Sequence, residues 1–371
     1  MMIQLFEWVY GFGHTVFWAV AVLGFLVFIH ELGHFWVAKK LGIGVSCFSL
    51  GFGRRLWGFQ YGETEYRISL IPLGGYVKLV GEDPEASADN PDVPAEPESP
   101  EQSFYLRSVP QRMAVIFAGP FFNILLAVVL SWILHMVGVP VSGTWVGGVL
   151  PNSPSLSAGL QKDDHIIGID GTSVRRWTEM VRIIQVSAGK KLLLQVERKG
   201  KTLEIPITPS SKSSDGKELG FGRIGISLSP RTFTDRHGPL DAVWKSLDQT
   251  YSIIHLTVTT IYGMVVQTVP ADIGGPIRIS RIAAEQAKRG LRYVAMFTIL
   301  LSLNLAILNL LPIPILDGGH LLFLTIEALR GKPISLRIRE KSMQVGMVLL
   351  IGLMVFATYK DSVYYFLQWS R

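Results

Sequence analysis

Two scales of hydrophobic patterning run along this 371-residue chain. On the longer scale, residues 15–38, 113–139, 293–316 and 342–359 form apolar runs without charge, the first broken only by His30-Glu31-Leu32-Gly33-His34. At about 1.5 Å per helical residue, runs of this length reach across a hydrocarbon core of ~30 Å, so the pattern predicts four transmembrane helices. On the shorter scale, residues 143–230 alternate apolar and polar positions between glycine turns. That predicts strands at 145–150, 164–169, 191–198 and 203–207 and a helix at 176–187. Two further strand-like segments, 44–56 and 66–79, follow the first helix. Residues 82–102 hold eight acidic residues, five prolines and no basic ones, the composition of a disordered loop to which no role is assigned.

Composition agrees with the pattern. Hydrophobic residues make up 49% of the chain and charged ones 17%, as expected of a membrane protein with a soluble part. The net charge of +6 flanks the apolar runs and is not a nucleic-acid signature; no phosphate-binding glycine loop or nucleic-acid motif stands out. Lys39, Lys40, Arg54, Arg55, Arg67, Lys78, Arg107 and Arg112 follow the first run, and Arg330, Lys332, Arg337, Arg339 and Lys341 precede the last. By the positive-inside rule both segments face the cytoplasm, so the insert at 141–292 and both termini face outward. The first basic residue is Lys39, and no small-residue cleavage site is evident, which predicts an uncleaved anchor. The single Cys47 excludes an intrachain disulfide and a cysteine-cluster metal site.

The interruption in the first run carries the chemistry. Between Trp8 and Tyr61, Glu31 is the only carboxylate. A carboxylate at membrane depth costs several kcal/mol and marks a functional site. In a helix, His30 and His34 share one face and suit one metal ion, while Glu31, about 100° away, is free to act as base on a water. A hydrolytic zinc commonly takes a third protein ligand. Asp317 is the outstanding candidate: it ends a 24-residue uncharged run and is the only carboxylate between Glu285 and Glu327. Pro312 and Pro314 break the helix before it, and Gly318-Gly319 is expected to loosen the backbone. Alternatively, Asp317 caps the next helix. His320 reads as an interfacial residue. Asn309 and Asn304 are candidates to hold a substrate carbonyl or oxyanion, or to bridge helices.

A count of crossings follows. The HExxH lies toward the exit end of its run, as Asp317 does of the third. They can share an ion only if those helices run the same way, with an odd number of crossings between them. The run at 113–139 supplies one. Residues 249–271, uncharged but rich in Thr, Ser, Tyr and Gln, are therefore read as a surface-lying amphipathic helix and not as a fifth span.

Together with the segment Asn309-Leu-Leu-Pro312-Ile-Pro314-Ile-Leu316-Asp317-Gly318, the HExxH resembles the site-2 protease family of intramembrane zinc metalloproteases, in its bacterial regulator-of-sigma-E branch. Gly119-Pro120-Phe121-Phe122-Asn123 resembles that branch's second-helix motif, Ile71-Pro72-Leu73-Gly74-Gly75-Tyr76-Val77-Lys78 its membrane-reentrant β-loop, and Gly275-Pro276-Ile277 the motif before its third helix. The resemblance implies Zn²⁺ on His30, His34 and Asp317, with Glu31 as general base. It implies Asn309, together with Asn123, lining the active site. Residues 154–171 resemble a bacterial PDZ domain, with Gly222, Arg223, Ile224 and Gly225 in the loop that captures a peptide C-terminus or belongs to a mere size filter. The family's best-known members carry two PDZ domains; this insert has room for one.

The expected fold is thus an α-helical integral membrane protein of four transmembrane helices, with a cytoplasmic-side membrane-associated β-hairpin and one inserted α+β PDZ domain facing the periplasm. The expected segments are helix one (1–41), reentrant β-loop (42–81), acidic loop (82–103), helix two (104–140), PDZ domain (141–230), amphipathic helix and linker (231–291), helix three (292–320), and cytoplasmic loop with helix four (321–371). The resemblance implies an inner-membrane enzyme, active toward the cytoplasmic side, in regulated intramembrane proteolysis. Its substrates would be transmembrane segments of anti-sigma factors or remnant signal peptides already trimmed by a site-1 protease. A catalytically inactive PDZ receptor or chaperone for membrane clients is the alternative. A metal transporter would need ligands spread along the spans, and the sequence offers one cluster.

Overall fold

In the computed structural model, residues 2–82, 100–212, 218–267 and 274–369 are described. The acidic stretch lies, except for its ends, outside them. The chain divides into two units, Met1–Leu134 with Pro239–Arg371, and His135–Gly238.

The first unit begins with α1 (Met2–Lys40), which ends on Lys39 and Lys40, cations suited to the negative end of the helix dipole. β1 (Val45–Tyr61) and β2 (Thr64–Leu79) follow, joined at Tyr61↔Thr64. The sequence suggests two shorter strands; the structure makes a hairpin doubled on itself. Residues 47–50 pair with 78–75 on one side, while on the other their register rises in step with 65–68. Two glycines in the left-handed region, Gly51 (φ +91°) and Gly53 (φ +84°), allow the turn that this doubling requires. α2 (Val109–Val137) contains Pro120. Ala38, Val45, Leu79, Phe104, Val115, Ile116 and Leu324 form one buried cluster that fastens the end of α1 to both strands and to α2.

The second unit opens with β3 (Val139–Ser142) and β4 (Val146–Val149), followed by β5 (His165–Ile169), β6 (Thr172–Ser173) and α3 (Trp177–Gln185). Then come β7 (Leu192–Arg198), β8 (Lys201–Ile207), β9 (Ser210–Lys212), β10 (Glu218–Arg223), β11 (Ile226–Leu228) and β12 (Thr232–Asp235). The sheet order β6-β5-β7-β8 packs Ile166, Ile169, Leu194 and Val196 against Met180 and Ile184, one turn apart on α3. The strands and helix expected from alternation are present. The unit is longer at both ends than 141–230, because β12 pairs with β3. Those are four-residue strands some ninety positions apart, too short to declare themselves by period. An Arg176–Asp235 ion pair secures them. Burial pushes the Asp235 carboxyl up, but Arg176 outweighs it and holds the group below the usual carboxylate value.

The first unit resumes with α4 (Pro239–Val265), α5 (Pro276–Arg289), α6 (Leu291–Asn309), α7 (Asp317–Arg330) and α8 (Leu336–Trp369). Among the described residues four helices are long and apolar enough to cross a membrane: Gly11–Lys40, Val109–Val137, Leu291–Asn309 and Leu336–Leu367. α4 is not one of them. Its Gln249 accepts from Ser131 of α2, and its Thr257 donates to Asn304 of α6. Its polar side therefore faces protein, while Trp244, Leu247, Tyr251 and Tyr262 are exposed. Of these four spans, α2 alone falls between α1 and α6 in chain order, the odd count that the sequence requires. Across the unit, Arg112 of α2 holds Glu327 of α7 with two hydrogen bonds (2.5 and 3.2 Å).

Candidate metal centre

α1 buries His30 and His34 one turn apart, their Nε2 atoms 3.3 Å from each other. Asp317 places Oδ2 3.1 Å from His30 Nε2 and Oδ1 3.7 Å from His34 Nε2. Zinc bonds of ~2.0–2.1 Å in a tetrahedron set ligand atoms about 3.3 Å apart. The Nε2–Nε2 separation matches that value, and each imidazole has one of the two Asp317 oxygens at a comparable distance. Asp317 Oδ2 is buried without a hydrogen-bond partner, although His30 Nε2 lies near it. A carboxylate oxygen left in that state between two imidazoles fits a cation. Among the described residues, these three form the one group of His, Cys, Asp or Glu side chains placed to share an ion.

Close helix contact makes this geometry possible. A methyl on Gly33 would run into the Ala118 carbonyl, and one on Gly119 would strike His34 Nε2 and stand 2.8 Å from His30 Cε1. Two glycines therefore let the backbone of α2 lie directly on the imidazoles. Pro120 removes an intrahelical bond and strains the turn before it. One residue before that turn, the Val115 carbonyl accepts from His34 Nδ1 at 2.9 Å. A carbonyl only accepts, so Nδ1 carries the proton and Nε2 turns a lone pair to the cluster.

Asp317 is held differently. Pro312 and Pro314 keep 310–316 out of helix, and α7 begins at Asp317, where the helix dipole favours a carboxylate. The N-cap position is Leu316, not Asp317, and Asp317 Oδ2 caps no backbone N–H. Gly318 and Gly319 are buried and helical. A Cβ on either would meet backbone, Leu310 and Leu311 in one case and Ile313 and Pro314 in the other. The pair serves close packing of the break on α7, not the looseness that the sequence suggests.

The remaining candidates separate. Asn309 Nδ2 lies 3.4 Å from His30 Nε2, at the cluster. Asn304 does not reach it: its amide oxygen is engaged by Thr257, an interhelical bond that the sequence could not distinguish from a catalytic one. Asn123 lies against the other nitrogen of the His30 ring, with Nδ2 3.1 Å from Nδ1. Glu31 lies against β2, where a Cβ built on Gly75 would meet its Cγ at 3.1 Å. His320 stands outside the cluster, lining a cavity with Tyr105, Arg112, Glu327 and Arg339. The structure adds Gly119, Gly75 and the Val115 carbonyl, to which the sequence assigns no individual role. For Gly119 the signal is the small residue before Pro120; a carbonyl leaves none.

In the second unit, Gly222, Arg223, Ile224 and Gly225 line a groove opposite Trp177, Met180, Val181 and Ile184 of α3. Gly225 takes φ +81°, and the Ile224 and Gly225 carbonyls accept from Ser155 and Leu150 amides.

Comparison with known proteins places the whole chain. The profile described as Peptidase family M50 matches residues 18–353. Regulator of sigma-E protease RseP of Salmonella typhimurium is 32% identical over 94% of this chain and 99% of its own length. The Escherichia coli protein of that name is 31% identical over 92% and 97%. A putative zinc metalloprotease of Agrobacterium fabrum is 35% identical over 92% and 94%. The Salmonella alignment runs over 454 positions, more than the 371 of this chain, whereas the Agrobacterium one runs over 353. The former relative therefore carries an insertion that this chain lacks. The PDZ domain of an SdrC-like protein from Listeria innocua matches 24% of this chain and 96% of its own length, at 25% identity and a TM-score of 0.21. With matches that run along nearly its full length, the chain belongs to peptidase family M50 and is a membrane-embedded zinc metalloprotease of the site-2 type.

Proposed function

We propose that this enzyme cuts the membrane-spanning segment of single-span proteins in a bacterial inner membrane, after another protease has shortened them outside. His30, His34 and Asp317 hold the zinc, Glu31 is the general base, and Asn309 binds the scissile carbonyl. The observation that carries this reading is the convergence of His30, His34 and Asp317, whose ligand atoms lie within 4.8 Å of one another, with the two Nε2 atoms at the edge length of a zinc tetrahedron. When bound, zinc supplies Lewis acidity to the carbonyl and makes water a nucleophile near neutral pH. Glu31 takes the water's proton and passes it to the leaving amine. The Asn309 amide donates to the carbonyl oxygen as it gains charge.

A helical substrate hides its carbonyls in hydrogen bonds and must unwind before attack. Residues 75–78 of β2 pair with β1 on one side, and Gly75 adjoins Glu31. An extended substrate adds as a strand along the other side, which brings its backbone to the base. The charge pattern sets the basic segments and the active site toward the cytoplasm, and both termini and the second unit toward the periplasm. We read the second unit as a single PDZ-type domain whose groove beside α3 tests the trimmed end of a client. The relatives named regulators of sigma-E protease support an anti-sigma factor as substrate class.

The test is co-expression with a tagged single-span reporter lacking most of its outer domain, comparing wild type, Glu31→Gln and Asp317→Ala, with zinc measured on each purified protein. Cleavage by wild type alone is expected, with zinc retained in Glu31→Gln and reduced in Asp317→Ala. Normal cleavage by Glu31→Gln would overturn the mechanism.

A further inference from the structure

The two histidines of the cluster are supported from behind in different ways. For His34 the partner is a carbonyl, so its tautomer is settled. For His30 the partner is an amide, which offers either an acceptor or a donor after a half-turn. As placed, the Asn123 nitrogen faces His30 Nδ1 at 3.1 Å, and its oxygen is buried without a partner. The Asn309 nitrogen faces His30 Nε2 at 3.4 Å, so an amide donor stands at each ring nitrogen, whereas a neutral imidazole carries one proton and can accept at only one of them. A His30 that ligates through Nε2 must carry its proton on Nδ1 and needs an acceptor there.

We propose that Asn123 is the positioning residue for His30: in the zinc-bound enzyme its amide is inverted, and its oxygen accepts from His30 Nδ1–H. The inference rests on the ligand set proposed above. One amide atom lacks a protein partner in either orientation, so amide satisfaction does not decide between them; the tautomer of His30 does.

The site is built for this. Asn123 is fully buried. Ser302 of α6, also fully buried, donates to the Asn123 backbone carbonyl at 2.7 Å. The helix that leads to Asp317 thereby fixes the height of residue 123 on α2, and α2 orients His30. Three elements that each contribute to the centre are coupled through one residue. Asn123 acts through His30 and has no contact with substrate in this reading, in place of the active-site lining role that family resemblance suggests for it.

The experiment measures zinc affinity of purified full-length protein by competition with a chelator, with cleavage assayed separately, for wild type, Asn123→Asp, Asn123→Leu and Glu31→Gln. Carboxylate in place of amide keeps an acceptor and removes the ambiguity, so Asn123→Asp should bind zinc at least as tightly as wild type. Asn123→Leu fills the space without an acceptor and should lose about 10–100-fold in zinc affinity, the usual effect of removing such support. A thermal melt of each variant keeps misfolding apart from ligand loss. Wild-type zinc affinity in Asn123→Leu, or loss in Asn123→Asp equal to that in Asn123→Leu, would overturn the proposal. If wild type itself binds no zinc, or Glu31→Gln still cleaves, it is the underlying mechanism that has failed. A fall in cleavage at unchanged zinc affinity in Asn123→Leu would return Asn123 to the substrate side and also refute the positioning role.

Discussion

Gly119→Ala tests the packing on which the centre depends. The added methyl would stand 2.8 Å from His30 Cε1 and nearer still to His34 Nε2. Carbon atoms in contact prefer about 3.5–4.0 Å, so roughly 1 Å must be found. The rings cannot simply retreat, because His34 is tied to the Val115 carbonyl and His30 to Asn123. Either α1 and α2 separate or the ligand set opens. Overpacking of this kind costs about 1–3 kcal/mol. Zinc ligands tolerate deviations of about 0.2 Å, and a misplacement of about 1 Å is worth on the order of 100-fold in rate. We expect Gly119→Ala to be purified folded but zinc-poor, with cleavage reduced by about that factor. The comparison is Gly24→Ala, on α1 but with nothing within 4 Å of the added methyl. That variant should match wild type in both assays. Zinc is read by mass spectrometry after dialysis against a buffered chelator, and cleavage with the trimmed reporter. Wild-type zinc and wild-type cleavage in Gly119→Ala would show that α2 does not lie on the imidazoles.

Three other outcomes follow from buried groups. Arg112→Met strands the Glu327 carboxylate, whose side chain is 16% exposed, and should lower the melting temperature by the equivalent of about 3–5 kcal/mol. Adding Glu327→Leu should restore much of it, and a double variant no better than the single would refute the pairing. Asp235 sits below the ordinary carboxylate value because of Arg176. Its stabilisation is present above that value of 3.8 and lost as pH falls through the lower folded value. Hydrogen exchange of β3 and β12 in the full-length protein should rise at that acid end, and an unchanged acid profile in Arg176→Met would count against it. Cys47 is buried, and burial pushes its thiol up. Maleimide should label it slowly at neutral pH in the folded protein and fully after denaturation; rapid labelling of the folded protein would place β1 elsewhere.

The spans, the four strands and helix of the second unit, and the clustering of His30, His34 and Asp317 are legible in sequence because each breaks a strong expectation. A charge inside an apolar run is costly, and alternation at period two marks a strand with one face buried. What is not legible depends on pairings at long range. The doubled register of β1 and β2 has two partners for one segment, which a linear pattern cannot encode. The β3–β12 pair closes over some ninety residues. Asn304 and Asn309, five residues apart in one run, look equivalent in sequence. Only the position of Thr257 on α4 separates the interhelical amide from the one beside His30.

The two glycine pairs extend that lesson. Gly318 and Gly319 read as flexible, yet both are helical and pressed on backbone. Gly33 and Gly119 carry no chemistry of their own, yet they let α2 lie directly on the histidines of α1. A glycine chosen for absence of a side chain looks the same in sequence as one chosen for freedom of φ. The distinction matters for the chemistry. Ligands held by flexible segments would lose ordering entropy each time the ion bound, whereas helices locked at contact present the lone pairs already converged. α2 contributes no ligand, but its Gly119, Val115 carbonyl and Asn123 fix the position or tautomer of both histidines. Substitutions on α2 should therefore act on metal affinity before they act on substrate, the opposite order from substitutions at Asn309 or along 75–78.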